Sequence, residues 1–167
     1  MISKEMLSTV KLIAFDFDGV FTDNTVYVTQ GGVESVRCWR SDGLGIFRLQ
    51  SIGVHVLIIS TEKNPVVTVR ANKLKMPCKQ GVEDKAAAIL QTCAELGIAP
   101  EQTMFVGNDI NDIPAFKSVG LPVAVADAYP EVDPYILFQT KKPGGLGAVR
   151  EICDLVFNAR NGGSNGI

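Results

Sequence analysis

Lys11-Leu12-Ile13-Ala14-Phe15-Asp16-Phe17-Asp18-Gly19 is the stretch on which the fold turns. Lys11–Phe15 carries a short, continuous apolar run, the pattern of a strand buried on both faces of a parallel sheet. It ends abruptly in two acids and a glycine. Val54–Ile59 and Thr103–Val106 repeat the pattern further along, and each also ends in polar residues. Leu121–Ala124 and Tyr135–Gln139 read as further strands. Helical patterns fall between them: Leu44–Ile52, stopped by Gly53; a segment from Pro65 to Lys75, with Pro77 beyond it; Glu83–Leu96; Asp112–Val119; and Leu146–Phe157. In Glu83–Leu96 the apolar residues Ala86, Ile89, Leu90, Cys93 and Ala94 keep helical spacing, and Gly97 supplies the stop. Strands alternating with helices predict an α/β fold with a mainly parallel central sheet and helices on both faces. Two β-branched and aromatic runs, Thr25–Val28 and Val33–Trp39, flank Gln30-Gly31-Gly32 and predict a β-hairpin inserted after the first strand.

The bulk composition narrows the function. With 167 residues, 46% hydrophobic, the chain fits one domain. It is read here as residues 1–158, followed by a polar, glycine-rich tail over 159–167 without fixed structure. Charged residues are 20% of the chain and the net charge is -2, so the basic excess of a nucleic-acid binder is missing. No apolar run is long enough for a membrane span and Met1–Val10 lacks a secretory apolar stretch, so a soluble cytoplasmic protein is expected. The four cysteines, Cys38, Cys78, Cys93 and Cys153, form no CxxC pair and read as reduced thiols. A single histidine, His55, leaves no basis for a histidine triad or a multi-histidine metal site.

In parallel α/β sheets, ligands bind beyond the carboxyl ends of the strands. The polar residues there form a set: Asp16 and Asp18 after the first strand, Ser60-Thr61-Glu62 after the second, Gly107-Asn108-Asp109 after the third with Asp112 a turn later, and Lys85 at the start of the clearest helix. Alternate residues of an extended segment point the same way, so Asp16 and Asp18 would repel without a cation. Magnesium, a hard ion that takes oxygen ligands, suits them. A carboxylate can attack phosphorus to give an aspartyl-phosphate, while a second one protonates the leaving alcohol and then activates water. Ser60 offers a hydroxyl and Lys85 a compact cation to phosphoryl oxygens. Taken singly, an Asp-x-Asp is usually a solvated turn, a serine after a strand a cap, and a lysine a surface charge. Their succession at consecutive strand ends is what points to phosphoryl chemistry.

These segments resemble the haloacid dehalogenase superfamily: LIAFDFDGVFTD, then Ser60 after VLII, then Lys85 in GVEDKAAA, then FVGNDIND. SDGLGI, QGVEDK, VGLPVAVADA and KKPGGLGAVRE extend the similarity to the branch without a cap domain. That branch holds 3-deoxy-octulosonate 8-phosphate phosphatases, nonulosonate 9-phosphate phosphatases and the C-terminal domains of some acylneuraminate cytidylyltransferases. The resemblance implies a Rossmann-like fold and a magnesium-dependent phosphatase acting on a phosphorylated sugar acid. Asp16 matches the nucleophile and a metal ligand. Asp18 matches the general acid/base, with its backbone carbonyl on the metal. Ser60 and Lys85 match the phosphate binders, and Asn108, Asp109 and Asp112 the third metal-binding loop. Glu62, Arg70 and Lys73 match positions that contact the sugar acid. The hairpin matches one that builds a homotetramer whose subunits close each other's active sites, and Gly144-Gly145-Leu146-Gly147 resembles a tail that reaches such a site.

Departures from the pattern matter. The branch usually shows Gly-Asp-Asp where this chain has Gly107-Asn108-Asp109, which removes a negative charge and leaves open whether Asn108 or Asp109 is the ligand. Asn24 replaces a common glycine, and Ser60 a common threonine. A glutamate at Glu62, where octulosonate enzymes tend to carry a basic residue, points to a nonulosonate of the sialic-acid type, with octulosonate next. Asn108 also keeps open a second reading, a weakly active or inactive domain serving assembly or regulation of a cytidylyltransferase. Dehalogenase and phosphomutase chemistry need a cap domain, for which neither inter-motif segment has room.

Overall fold

The computed structural model describes residues 2–162. Its centre is β1 (Leu12–Phe15), flanked by β4 (His55–Ile59) on one side and β6 (Thr103–Gly107) on the other. The six-stranded sheet runs β5 (Cys78–Lys79), β4, β1, β6, β7 (Leu121–Ala124) and β8 (Phe138–Gln139), and every pairing is parallel. Side chains alternate between its faces. Ile13 and Phe15 join one core with Val56, Ile58, Met104 and Val106, while Leu12 and Ala14 join another with Leu57, Ile59 and Phe105. The expected continuous apolar runs are therefore the signature of a sheet covered twice.

Chain direction decides which helix covers which face. From β1 the chain steps through α2 (Asp42–Ser51) to β4, then through α3 (Val66–Leu74) to β5. Right-handed crossovers place both helices on one face, where Ile46, Leu49, Val67 and Ala71 enter the first core. The chain then crosses back through α4 (Lys85–Leu96) to β6 and through α5 (Ile113–Lys117) to β7, and Ile89, Cys93, Ala115 and Phe116 fill the second core. The α6 helix (Ala148–Arg160) returns to the first face and packs along α2. The reversal lies between β1 and β6, and this is where a crevice opens at the strand ends of such sheets.

The expected elements are largely present, with corrections at their edges. In α4, Asp84 accepts the Ala87 N–H at 2.9 Å and Gly97 closes the helix with φ 64°, which starts the helix two residues after the expected Glu83. The hairpin shrinks to β2 (Tyr27–Val28) and β3 (Glu34–Ser35), with one further antiparallel bridge between Thr22 and Cys38. The predicted strand at Tyr135–Gln139 begins only at Phe138, because Pro130 and Pro134 hold Pro130–Tyr135 in 3-10 turns. Asn158, Ala159 and Arg160, expected in the tail or at its edge, are helical, and Arg160 Nη1 donates to Val10 O at 2.9 Å. Residues 163–167 of that tail lie outside the described residues. Two short elements were not anticipated: α1 (Lys4–Ser8), capped by Ser3, and the two-residue edge strand β5. No described helix is long and apolar enough to cross a membrane.

One charge sits badly in this core. Asp42, the first residue of α2, is 1% exposed and neither carboxylate oxygen has a hydrogen-bond partner. Burial pushes its pKa up to about 7, against the pull of Arg70 and Arg150. An acid whose folded pKa exceeds its unfolded value of about 3.9 holds its proton more tightly when folded. The stability it permits is full below about pH 4 and is lost as pH rises through 7. Asp42→Asn is thus expected to raise Tm more at pH 8 than at pH 5 in thermal unfolding. Equal shifts at both values would mean that Asp42 is ionised in the fold.

Candidate active site

Register brings the acids to the reversal point. Phe15 lies opposite both Ile58 of β4 and Val106 of β6, and the Asp16 N–H still donates to Val106 O at 2.9 Å. Past Asp16 the chain turns sharply, and Phe17 O accepts from the N–H groups of Val20, Phe21 and Thr22. Gly19 makes this turn possible, with φ +77° and a Cβ position that would fall 2.1 Å from Asn108 Nδ2. The side chain of Asn108, at the end of β6, therefore lies directly on the turn that carries Asp18. Phe17 and Phe21 anchor the turn in the core, with ring centroids 6.0 Å apart.

Beneath the turn lies a buried charge cluster. Lys85 Nζ sits 2.8 Å from Asp16 Oδ1 and 2.7 Å from Asp112 Oδ1, and all three residues are at most 5% exposed. Asp16 Oδ1 also accepts the Phe17 N–H at 2.8 Å. Among the described residues its Oδ2 has no protein donor. Asp112 Oδ2 accepts the N–H groups of Asn108 at 2.8 Å and Asp109 at 3.3 Å, so both its oxygens serve to hold Lys85 and the loop. Burial pulls the Lys85 ammonium down, but the two carboxylates together outweigh it and hold its pKa above the ordinary value. Burial and the Asp112 charge push Asp16 up to about 7, against the pull of Lys85.

Asp18 is half-buried at the mouth. Burial raises its pKa first, then the charge of Glu62, with Glu34 adding to it and Lys85 opposing. Asp18, Glu34, Glu62, Asn24, Thr25 and Asn64 line a cleft of about 210 Å³. Ser60, 1% exposed at the end of β4, accepts the Glu62 N–H at 3.1 Å, which leaves its hydroxyl proton to donate. Glu62 Oε1 accepts the N–H groups of Lys63 at 2.6 Å and Asn64 at 2.7 Å, and Asn64 Nδ2 reaches Glu34 Oε2 at 3.1 Å. Glu34, from the hairpin, was not singled out in the sequence, because nothing local marks which hairpin residue faces the cleft.

Two expected placements differ in detail. Asp109 has one carboxylate oxygen engaged locally. Its carboxylate accepts the Ile110 N–H at 2.7 Å and caps the turn Ile110–Asp112, a local bond that competes successfully for a short acid at a helix start. Asn108, 5% exposed, occupies the position against Gly19. Nor do Glu62, Arg70 and Lys73 share one pocket. Arg70 and Lys73 line a separate cleft of about 320 Å³ with Cys38 and Arg40, and Arg70 Nη2 donates to Trp39 O at 2.9 Å. The cause is the run of α3, which carries Lys73 roughly 10 Å along its axis from Val66, near Glu62. Of the segment Gly144–Gly147, expected to reach an active site, Gly144 and Gly145 lie against the Gly19–Asp23 turn of the same chain and Gly147 lies beside Trp39.

Asp16 Oδ2, the Asn108 amide and the Asp18 backbone carbonyl are hard oxygen donors of the kind magnesium takes. They include one fewer charge than a set with aspartate at position 108.

Comparison with known proteins gives the family. Residues 78–150 match the haloacid dehalogenase-like hydrolase family. The chain is 37% identical over 155 residues to the 3-deoxy-D-manno-octulosonate 8-phosphate phosphatase of Yersinia pestis, spanning 92% of this chain and 83% of that protein. It is 38% identical over 152 residues to the enzyme of that name from Escherichia coli K12, spanning 90% and 81%. The structure of the Moraxella catarrhalis enzyme, in complex with magnesium, phosphate and KDO, overlays with a TM-score of 0.91 at 30% identity, covering 96% of this chain and 92% of that one.

Asn108→Asp is expected to tighten the apparent magnesium affinity by roughly tenfold, since charge count among the ligands sets affinity. Titration of the metal by calorimetry reads it. An unchanged or weaker affinity would remove Asn108 from the ligand set.

Proposed function

The chain belongs to the family of the 3-deoxy-D-manno-octulosonate 8-phosphate phosphatases, within the haloacid dehalogenase-like hydrolases, and we propose that it hydrolyses the phosphomonoester of a sugar acid through Asp16. The observation that carries this reading is the buried Lys85 ammonium held between Asp16 and Asp112, with Asp18 half-buried above it. In this reading an Asp16 oxygen attacks phosphorus and the ester P–O bond breaks. The departing alkoxide takes its proton from Asp18, whose raised pKa favours the protonated form. Water then attacks the aspartyl-phosphate and gives a proton back to Asp18. Inorganic phosphate leaves and the Asp16 carboxylate is restored. Lys85 has a third N–H beyond the two committed to Asp16 and Asp112, and Ser60 has its hydroxyl; both would meet phosphoryl oxygens. Magnesium, held by Asp16, Asn108 and the Asp18 carbonyl, would neutralise charge on the transferring group and align it.

The substrate reading rests on the cleft. Asp18, Glu34 and Glu62 make it acidic, with no cation in its lining, so it suits hydroxyl or amide donors and repels a second carboxylate. A nonulosonate 9-phosphate presents such donors to Glu62 and is the substrate we favour. The names of the relatives favour octulosonate 8-phosphate as the second reading.

A homotetramer is part of the proposal. Tyr27, Val28 and Val33 on the hairpin, Leu44 and Phe47 on α2 and Val69 on α3 are all more than 60% exposed, an apolar surface that a neighbouring copy would cover. Arg70 and Lys73 would then serve the cleft of a neighbour, where they could meet the sugar acid's carboxylate. Light scattering is expected to give four times the chain mass; a monomer at assay concentrations would sink this part.

The test of the activity is phosphate release with magnesium and with chelator, on a nonulosonate 9-phosphate, octulosonate 8-phosphate and an aryl phosphate. Magnesium-dependent release that favours the nine-carbon acid, and that Asp16→Asn abolishes without unfolding, is expected. Preference for the eight-carbon acid keeps the mechanism and changes the substrate. No release from a folded, magnesium-saturated protein would favour the assembly domain.

A further inference from the structure

Gly144 and Gly145 meet the turn that carries Asp18 more closely than any side chain would allow. A Cβ on Gly144 would fall 1.8 Å from Gly19 O and 3.0 Å from Thr22 O. One on Gly145, where φ is +64°, would fall 2.3 Å from Asp23 N and 2.4 Å from Thr22 C. The contact is bonded as well as close, since Gly145 N–H donates to Val20 O at 3.0 Å. Distant parts of the chain hold the segment in place. Gly144 N–H donates to Asp127 Oδ1 at 2.8 Å, just beyond β7. The N–H groups of Lys141 and Lys142 donate to the Glu151 carboxylate of α6 at 2.9 Å each.

The opposite side of the same turn is also filled. Gly19 lies against Asn108, as its blocked Cβ position shows. Gly19, the residue after Asp18, is therefore wedged between Asn108 at the end of β6 and the Gly144–Gly145 backbone. The bonds from outside that reach Asp23 and Thr22, from Arg37 Nη2 to Asp23 Oδ2 at 2.6 Å and in the bridge between Thr22 and Cys38, fix the far end of the turn, whereas the Gly19 N–H donates only within it, to Thr22 Oγ1 at 3.1 Å.

We propose that Gly144 and Gly145, held by Asp127, form a clamp that positions Asp18 for proton transfer to the leaving group. The inference rests on the phosphatase reading above. Asp127 and the two glycines are positioning residues and touch no substrate. A displacement near 1 Å at a reacting group is enough to cost large factors in rate, and a Cβ on Gly144 would force a shift of that order.

Leaving-group dependence separates this role from a general loss of structure. An alkyl phosphate needs a proton as its ester bond breaks, whereas 4-nitrophenolate leaves readily without one. The experiment measures kcat/KM, which reports the steps up to that bond cleavage, on octulosonate 8-phosphate or the better nonulosonate and on 4-nitrophenyl phosphate. Gly144→Ala and Asp127→Ala are expected to lose about tenfold or more on the sugar phosphate and less than about threefold on the aryl ester, within the range general acid catalysis supplies. Asp127→Asn keeps the acceptor oxygen and should recover most of the loss. Asp127 is exposed, so its variants report even if Gly144→Ala folds poorly. Equal losses on both substrates, or a sugar phosphate rate at Asp127→Ala equal to wild type, would overturn the clamp while leaving the phosphatase reading intact. A wild-type protein that releases phosphate from neither substrate would defeat that reading, and the clamp with it.

Discussion

The ammonium of Lys85, shared between Asp16 and Asp112, is the interaction around which the rest of the molecule is arranged. Two carboxylates buried together in an apolar core must either hold a proton or find a cation between them. Lys85 reaches that place because it is the first residue of α4, the helix that carries the chain back across the sheet. Asp16 reaches it from the end of β1, and Asp112 from the turn after β6. The same contact that balances the charges thus ties together the two strands flanking the reversal and the crossover between them. Asp112 spends its second oxygen on the loop that presents Asn108, so the placing of that loop and the charge balance are set by one side chain. Gly107 has no room for a Cβ beside that carboxylate, which would lie 2.4 Å away.

How much of this could be read from the sequence follows from the range of each interaction. Strands β1, β4 and β6 were legible because double burial writes a continuous apolar run, and α4 because its caps, Asp84 and Gly97, are local. The order of the polar clusters along the chain sufficed to bring Asp16, Ser60, Lys85 and Asn108 to one end of the sheet. What stayed hidden depends on distant partners. Cys78–Lys79 becomes a strand only because β4 offers it an edge. The direction of α3 separates Arg70 and Lys73 from Glu62. The contact between Gly144 and Gly19 joins opposite ends of the chain and leaves no pattern in either. Asp109 is a different case, in which a local cap engages one oxygen of a residue that motif position offered as a ligand.

The surface charges divide in a way that net charge conceals. The cleft above Asp18 carries three carboxylates, while Arg40, Arg70 and Lys73 share the other cleft, with no acid in its lining. A chain with a near-balanced composition can therefore present strong local fields of both signs, each beside apolar surface of low dielectric. A ligand with hydroxyls at one end and a carboxylate at the other would match such a pair of fields in the proposed tetramer.

The place of β1 at the centre of the sheet has a consequence for how the molecule is made. Leu12 pairs with both His55 and Thr103, so during synthesis β1 must wait for two strands that emerge after it. Closing such long loops is slow compared with local helix formation. Until β6 has left the ribosome, the apolar run ahead of Asp16 has an open edge, a hazard for pairing with other chains. The acids at its end limit how far a stray partner could extend along it. Only when residues through Asp112 are present can Asp16 and Lys85 be buried without a net cost, so the site and the core close in the same late step.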